Sequence, residues 1–171
     1  MTGAEPAGVA PWLIDHVGIV VRDSEAASRR FEERLGLQVE HAEVVEAVGA
    51  RLVYLVPPRR GDGPGTSVQL LEPLRPGRLS EHLDEHGEGP HHVCFAVDDL
   101  AHSLGLLGEP PQGVFIGGGG RRCCFLGEPI AGARIELIER PLEPRTGATA
   151  ADADALSGSG RGAHPPNRDR G

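Results

Sequence analysis

The chain has 171 residues, 39% of them hydrophobic and only 4% aromatic, enough for one domain with a core built mainly from aliphatic side chains. A formal net charge of −8 gives no footprint for nucleic acid. All 17 basic residues are arginine, which excludes a lysine Schiff base or a lysine general base.

Met1 to Pro11 is a Gly/Ala/Pro leader with no basic segment followed by an apolar one, and residues 1–12 read as flexible. Residues 13–21 are apolar and β-prone and predict a first strand. Asp23 or Ser24 then caps a helix running to about Leu35, with Ala26, Ala27, Phe31 and Leu35 on its apolar side and Gly36 placed to end it. Leu37–Glu46, Arg51–Val56 and Ser67–Glu72 read as three further strands, separated by Gly49 and by a Pro/Gly-rich loop containing Arg59 and Arg60. Ser80–His86 predicts a short linking helix closed by Gly87, and Gly89-Pro90 reads as a break. A strand from His92 to Val97 follows, then a helix from Asp99 to Leu107 and strands at 114–116, 122–126 and 134–139, with Gly117–Gly120 as a turn. Beyond Pro141 the last 31 residues hold four acids, four arginines and only Leu142 and Leu156 as large aliphatics. Such a tail (141–171) buries too little to offset its ordering entropy and reads as disordered.

The order β-α-β-β-β thus occurs twice, over about 13–73 and 91–140. Superposing His16 on His92 matches Val17 with Val93, Ile19 with Phe95, Val21 with Val97 and Asp23 with Asp99. Alternation puts His16, Gly18 and Val20 on one face of the first strand and His92, Cys94 and Ala96 on the equivalent face of the second. Those faces are small beside the histidine and suit a cavity. The opposite faces, with Val17, Ile19, Val21, Val93, Phe95 and Val97, suit packing under helices.

In the last strand of each half, Gln69 matches Glu136, each inside an aliphatic run. An amide and a carboxylate are costly to bury there without partners. Together with the two histidines they make a mixed N/O set for a divalent cation: Mn, Co, Ni, Fe or Zn. Cys94, Cys123 and Cys124 form neither a disulfide framework nor a zinc pattern. No apolar run reaches membrane-spanning length, and a reduced cytoplasm is the expected compartment.

These residues carry a resemblance. Asp15-His16-Val17-Gly18-Ile19-Val20-Val21, Phe31–Leu37, Val68–Leu74, His86–Asp99, and Phe125-Leu126 with Ile135–Ile138 together resemble the vicinal oxygen chelate (glyoxalase/dioxygenase-like) superfamily. Within it, the methylmalonyl-CoA epimerases are most alike. The likeness covers about residues 13–140. It implies an α+β fold, two tandem βαβββ modules forming a curved mixed sheet around a metal. It implies His16, Gln69, His92 and Glu136 as ligands to a divalent ion, no organic cofactor, and a homodimer acting on a small acyl-CoA, with no nucleic-acid or membrane partner.

The implied chemistry is abstraction of the α proton of methylmalonyl-CoA, with Glu136 as one base. Where some bacterial epimerases carry a second Glu, this chain has Leu52; Glu46 and Glu43 are near in sequence, and Glu46 is the candidate second base. Arg59, Arg60, Arg121 and Arg122 are the cations available for CoA phosphates. The alternatives are another metal-dependent lyase or isomerase of the superfamily, glyoxalase I-like or acting on a natural product, or a non-catalytic small-molecule-binding resistance protein.

Overall fold

The computed structural model describes residues 13–58, 66–110 and 113–140. The expectations for the leader, for Arg59 and Arg60, and for the tail fall outside those residues.

The first module is β1 (Leu13–Val20), α1 (Ser24–Leu35), β2 (Gln38–Val45), β3 (Ala50–Val56) and β4 (Ser67–Pro73); α2 (Arg78–His86) follows. The second is β5 (Gly89–Val97), α3 (Leu100–Leu107), β6 (Phe115–Ile116), β7 (Arg122–Phe125) and β8 (Ile135–Glu139). The strands form one mixed sheet in the order β2-β3-β4-β1-β5-β8-β7-β6. It is an α+β fold with a curled, half-barrel sheet. β1 runs parallel to β4, and β5 parallel to β8. The modules join where β1 and β5 pair antiparallel.

Both module helices begin as the sequence predicts. Asp23 accepts from the Ala26 N–H at 2.8 Å, and Asp99 from the His102 N–H at 2.8 Å. These bonds satisfy donors that the first turn leaves free. Ala27 and Phe31 of α1 pack on Val21, Val53, Leu55 and Leu70. Leu100 and Leu104 of α3 pack on Val97, Leu137, Val93 and Phe95. The face expected to lie under helices does so in both modules.

Three local expectations are corrected. Leu35 is 66% exposed, because α1 turns its Ser24, Ser28, Ala27 and Phe31 side to the sheet. Helix α2 starts at Arg78, two residues before Ser80; the Ser80 hydroxyl reaches back to accept from the Gly77 N–H at 2.9 Å. Gly89-Pro90 lies inside β5, opposite Val20 and Ile19, beyond a register shift at Gly18/Ile19. The pairing of β5 with β8 begins only at Val93, so the missing Pro90 donor sits where one side of the strand is unladdered.

Helix α2 lies across the other side of the sheet. Its Leu79 and Leu83 bury Val20, Leu52, Leu71 and Tyr54. Beside it the sheet curls around a cavity of about 450 Å³, to which β1, β3, β4, β5 and β8 each contribute side chains.

Candidate metal centre

Strand register assembles the centre. Gln69 on β4 lies opposite Gly18 on β1, and Gly18 lies opposite His92 on β5. One step away, His16 lies opposite Cys94, and Cys94 opposite Glu136 on β8. Four residues from two sequence-distant pairs therefore occupy two adjacent rows across four neighbouring strands. His16, Gln69, His92 and Glu136 are all buried and all line the cavity.

His16 Nε2 is 3.1 Å from His92 Nε2 and 3.4 Å from Glu136 Oε2, and His92 Nε2 is 3.1 Å from the same oxygen. Ligands about 2.1 Å from a common ion stand roughly 3.0 to 3.4 Å apart, so these three atoms already have the spacing of a coordination shell. Two imidazoles and a carboxylate suit a divalent first-row cation. The Gln69 amide nitrogen donates to the Tyr54 hydroxyl at 2.8 Å. That bond directs its carbonyl oxygen away from Tyr54 and leaves it as the group able to act as a fourth ligand.

The ring orientations are supported from behind. His16 Nδ1 is 2.7 Å from Asp15 Oδ1. Arg121 forks onto that carboxylate at 2.7 and 3.0 Å. Burial opposes the Asp15 charge, but the His16 and Arg121 hydrogen bonds prevail and hold its carboxyl well below the usual range. His16 is raised: burial works against its cation, and bonds to Asp15 and Glu136 outweigh burial. Glu136 is held low by His16 and His92 against the cost of its own burial. Nδ1–H of His16 donating to a carboxylate leaves Nε2 as the metal-facing lone pair, a common orienting device. On the other flank, His91 Nδ1 is 2.9 Å from His92 Nδ1.

Asp15→Asn keeps the shape but loses the charge facing Nδ1. Metal affinity is expected to fall about 10- to 100-fold, measured by competition against a chromophoric chelator, with the thermal unfolding midpoint of the metal-free protein as the control for folding.

Gly18 has a specific role. A Cβ placed there would lie 2.2 Å from His92 Cε1. The small residue expected to widen the cavity instead makes room for the His92 ring. At the equivalent place beside His16 stands Cys94, fully buried, whose thiol is pushed far up by burial and by Glu136. It is a neutral filler and does not line the cavity. Asp15 and Cys94 also approach His16 closely enough to make a second donor group, but Asp15 is engaged by Arg121.

Two other sequence candidates are not brought to the cluster. Glu46 sits in the β2–β3 turn, 85% exposed, facing Arg75 at 3.7 Å, and is not part of the cavity wall. Arg122 pairs with Glu139 at 3.1 Å outside the cavity. Arg121 serves Asp15 and not a distant phosphate. Leu52 is on the cavity wall, and Glu136 is the one carboxylate among the described residues that line it. Among the described residues the cavity's cations are Arg75, Arg78 and Arg134, none of them expected from the sequence. For Arg134 a signal existed: it lies two residues before Glu136 on the same strand approach, so alternation turns both to one side.

The model of the glyoxalase/bleomycin resistance protein/dioxygenase superfamily matches residues 15–125. The chain belongs to that superfamily. Its members include proteins similar to this one over most of their length. The ethylmalonyl-CoA/methylmalonyl-CoA epimerase of Cereibacter sphaeroides is 29% identical over 122 residues, covering 70% of this chain and 80% of its own. Human mitochondrial methylmalonyl-CoA epimerase is 28% identical over 134 residues, 74% of this chain and 73% of its own. A solved Streptomyces coelicolor methylmalonyl-CoA epimerase in complex with 2-nitronate-propionyl-CoA is 32% identical with a TM-score of 0.65, covering 74% of this chain and 95% of that one.

Proposed function

We propose that the chain is a metal-dependent enzyme that removes the α proton of an acyl-CoA thioester, with methylmalonyl-CoA as its substrate and epimerisation as its outcome. The observation that carries this reading is the convergence of His16, His92 and Glu136 in a half-open cavity of about 450 Å³, in a superfamily member similar to methylmalonyl-CoA epimerases. His16, His92, Glu136 and the Gln69 carbonyl oxygen would hold the ion. When bound, a divalent cation stabilises negative charge developing on a carbonyl oxygen.

The rest falls to the chain's own groups. Asp15 and His91 hold the two imidazoles in place. Leu52, Leu71, Phe115 and Ile138 keep the cavity wall apolar and strengthen the electrostatics within it. Glu136, kept ionised by its histidine neighbours, takes the α proton on its own face of the substrate.

Inversion needs a donor on the other face. Leu52 stands where a second carboxylate is expected, so water must supply that proton. The second reading, a lyase or isomerase working from one face, is favoured by the same observation. In deuterated buffer, the metal-loaded protein is expected to place deuterium at the α carbon of methylmalonyl-CoA. Inversion should lag exchange by about 10²-fold, the lower range for a missing acid–base group. Exchange with no inversion would select the one-face reading. Neither exchange nor inversion in metal-loaded protein would sink the enzymatic reading and favour a binding protein.

A further inference from the structure

We propose that Arg78 and Arg134 form an anion subsite on the cavity wall, which takes a phosphate or carboxylate oxyanion of the substrate remote from the metal-binding cluster. This rests on the functional reading above and names the part of the substrate that reading leaves unheld.

The Arg134 Cζ lies over the Phe125 ring, 4.3 Å from its centroid, with NH1 3.4 Å from His91 Nε2. His91 in turn touches His92. The guanidinium thus meets the cluster through His91 and is not one of the grouped donor atoms. The ring holds the guanidinium by a cation–π contact, and a fork of N–H donors suits a planar oxyanion. Arg78 lines the same cavity from the first turn of α2.

Neither arginine has a carboxylate partner among the described residues. Their neighbours do: Arg121 pairs with Asp15, Arg122 with Glu139, Arg75 with Glu46 and Arg140 with Asp98. Two cations on one cavity wall repel until an anion joins them. Among the described residues the wall carries three arginines against one carboxylate, in a chain whose net charge is −8. Such local inversion of sign draws anionic ligands into a cleft.

A phosphate on the thioester carrier and a second carboxylate on the acyl group offer the same chemistry. Metal-loaded protein is titrated calorimetrically with methylmalonyl-CoA and with the phosphate-free pantetheine thioester, as wild type, Arg78→Met, Arg134→Lys and Arg78→Met/Arg134→Met. Inorganic sulfate, followed through arginine side-chain Nε–H signals, is the substrate-independent probe. We expect sulfate to perturb both arginines, and the double variant, at unchanged metal content, to bind the CoA ester about 10- to 100-fold more weakly. Arg134→Lys should recover only part of that loss. Pantetheine thioester binding spared in the double variant assigns the anion to the carrier phosphate; binding lost in parallel assigns it to the acyl carboxylate. A sulfate response without any binding of methylmalonyl-CoA keeps the subsite and removes the substrate reading. An unchanged affinity for the CoA ester together with silent arginine signals overturns the proposal.

Discussion

His92→Ala is expected to leave a folded protein that holds less than about a tenth of the wild-type metal and exchanges the α proton about 10²- to 10³-fold more slowly. The imidazole supplies one of three donor atoms already spaced as a shell, so its loss leaves His16, Glu136 and the neutral Gln69 carbonyl to hold an ion. Elemental analysis of purified protein and deuterium incorporation measure the two effects. Glu46→Gln is the control, because that carboxylate is 85% exposed and away from the cavity wall. The metal-free forms should also differ in their response to acid. Glu136 is held low in the fold by both histidines, so it stabilises the native state above the ordinary carboxylate pKa. That contribution is lost as pH falls toward the folded value. In His92→Ala part of the depression is gone, and unfolding midpoints of wild type and variant should converge as the pH is lowered below about 4. A full metal complement in His92→Ala would remove His92 from the centre.

The chain announced much of this geometry because it is written twice. A histidine at the start of β1 and another in β5, each followed by alternating small and large residues, has a simple physical meaning in a duplicated sheet. Gln69 and Glu136 were visible because polar atoms inside aliphatic strands require partners. What stayed hidden depends on three-dimensional neighbours. The Ser80 hydroxyl can cap from the first position of a helix or from its third, and sequence does not separate the two. Pro90 was read as a break because its tolerance in β5 depends on β8 starting its ladder three residues later. Arg121 reads as a cation free for a phosphate because its partner, Asp15, is 106 positions away. Glu46 looked close to the missing base because it is close in sequence; the hairpin turn carries it outward. Arg134 is the instructive omission. Its position two residues before Glu136 marks the shared face, but that it has no carboxylate partner among the described residues appears only in three dimensions.

Gly18→Ala should disable the centre without replacing a single proposed ligand. The added methyl would lie 2.2 Å from His92 Cε1 and 2.5 Å from its Nδ1, closer than real side-chain carbons approach. Gly18 has none of the left-handed backbone geometry found at Gly36 and Gly49, so alanine suits its backbone and the effect is steric. The ring has little room to yield, with His91 2.9 Å behind it and the Phe125 ring edge-on at 5.4 Å. Moving it displaces Nε2 from the other two donor atoms. Metal affinity should fall by at least about 100-fold. Strain should lower folding stability by about 1–3 kcal/mol, as overpacking does, while far-UV circular dichroism keeps the native sheet signature. Gly36→Ala separates the causes. Nothing lies within 4 Å of its added carbon, but its φ is +69°, so it should lose about 1 kcal/mol of stability and bind metal normally. The close approach of two strands at Gly18, rather than the donor atoms alone, would then set the position of the second imidazole. Normal metal affinity in Gly18→Ala, with His92 unmoved in its crystal structure, would refute that account of how the centre is built.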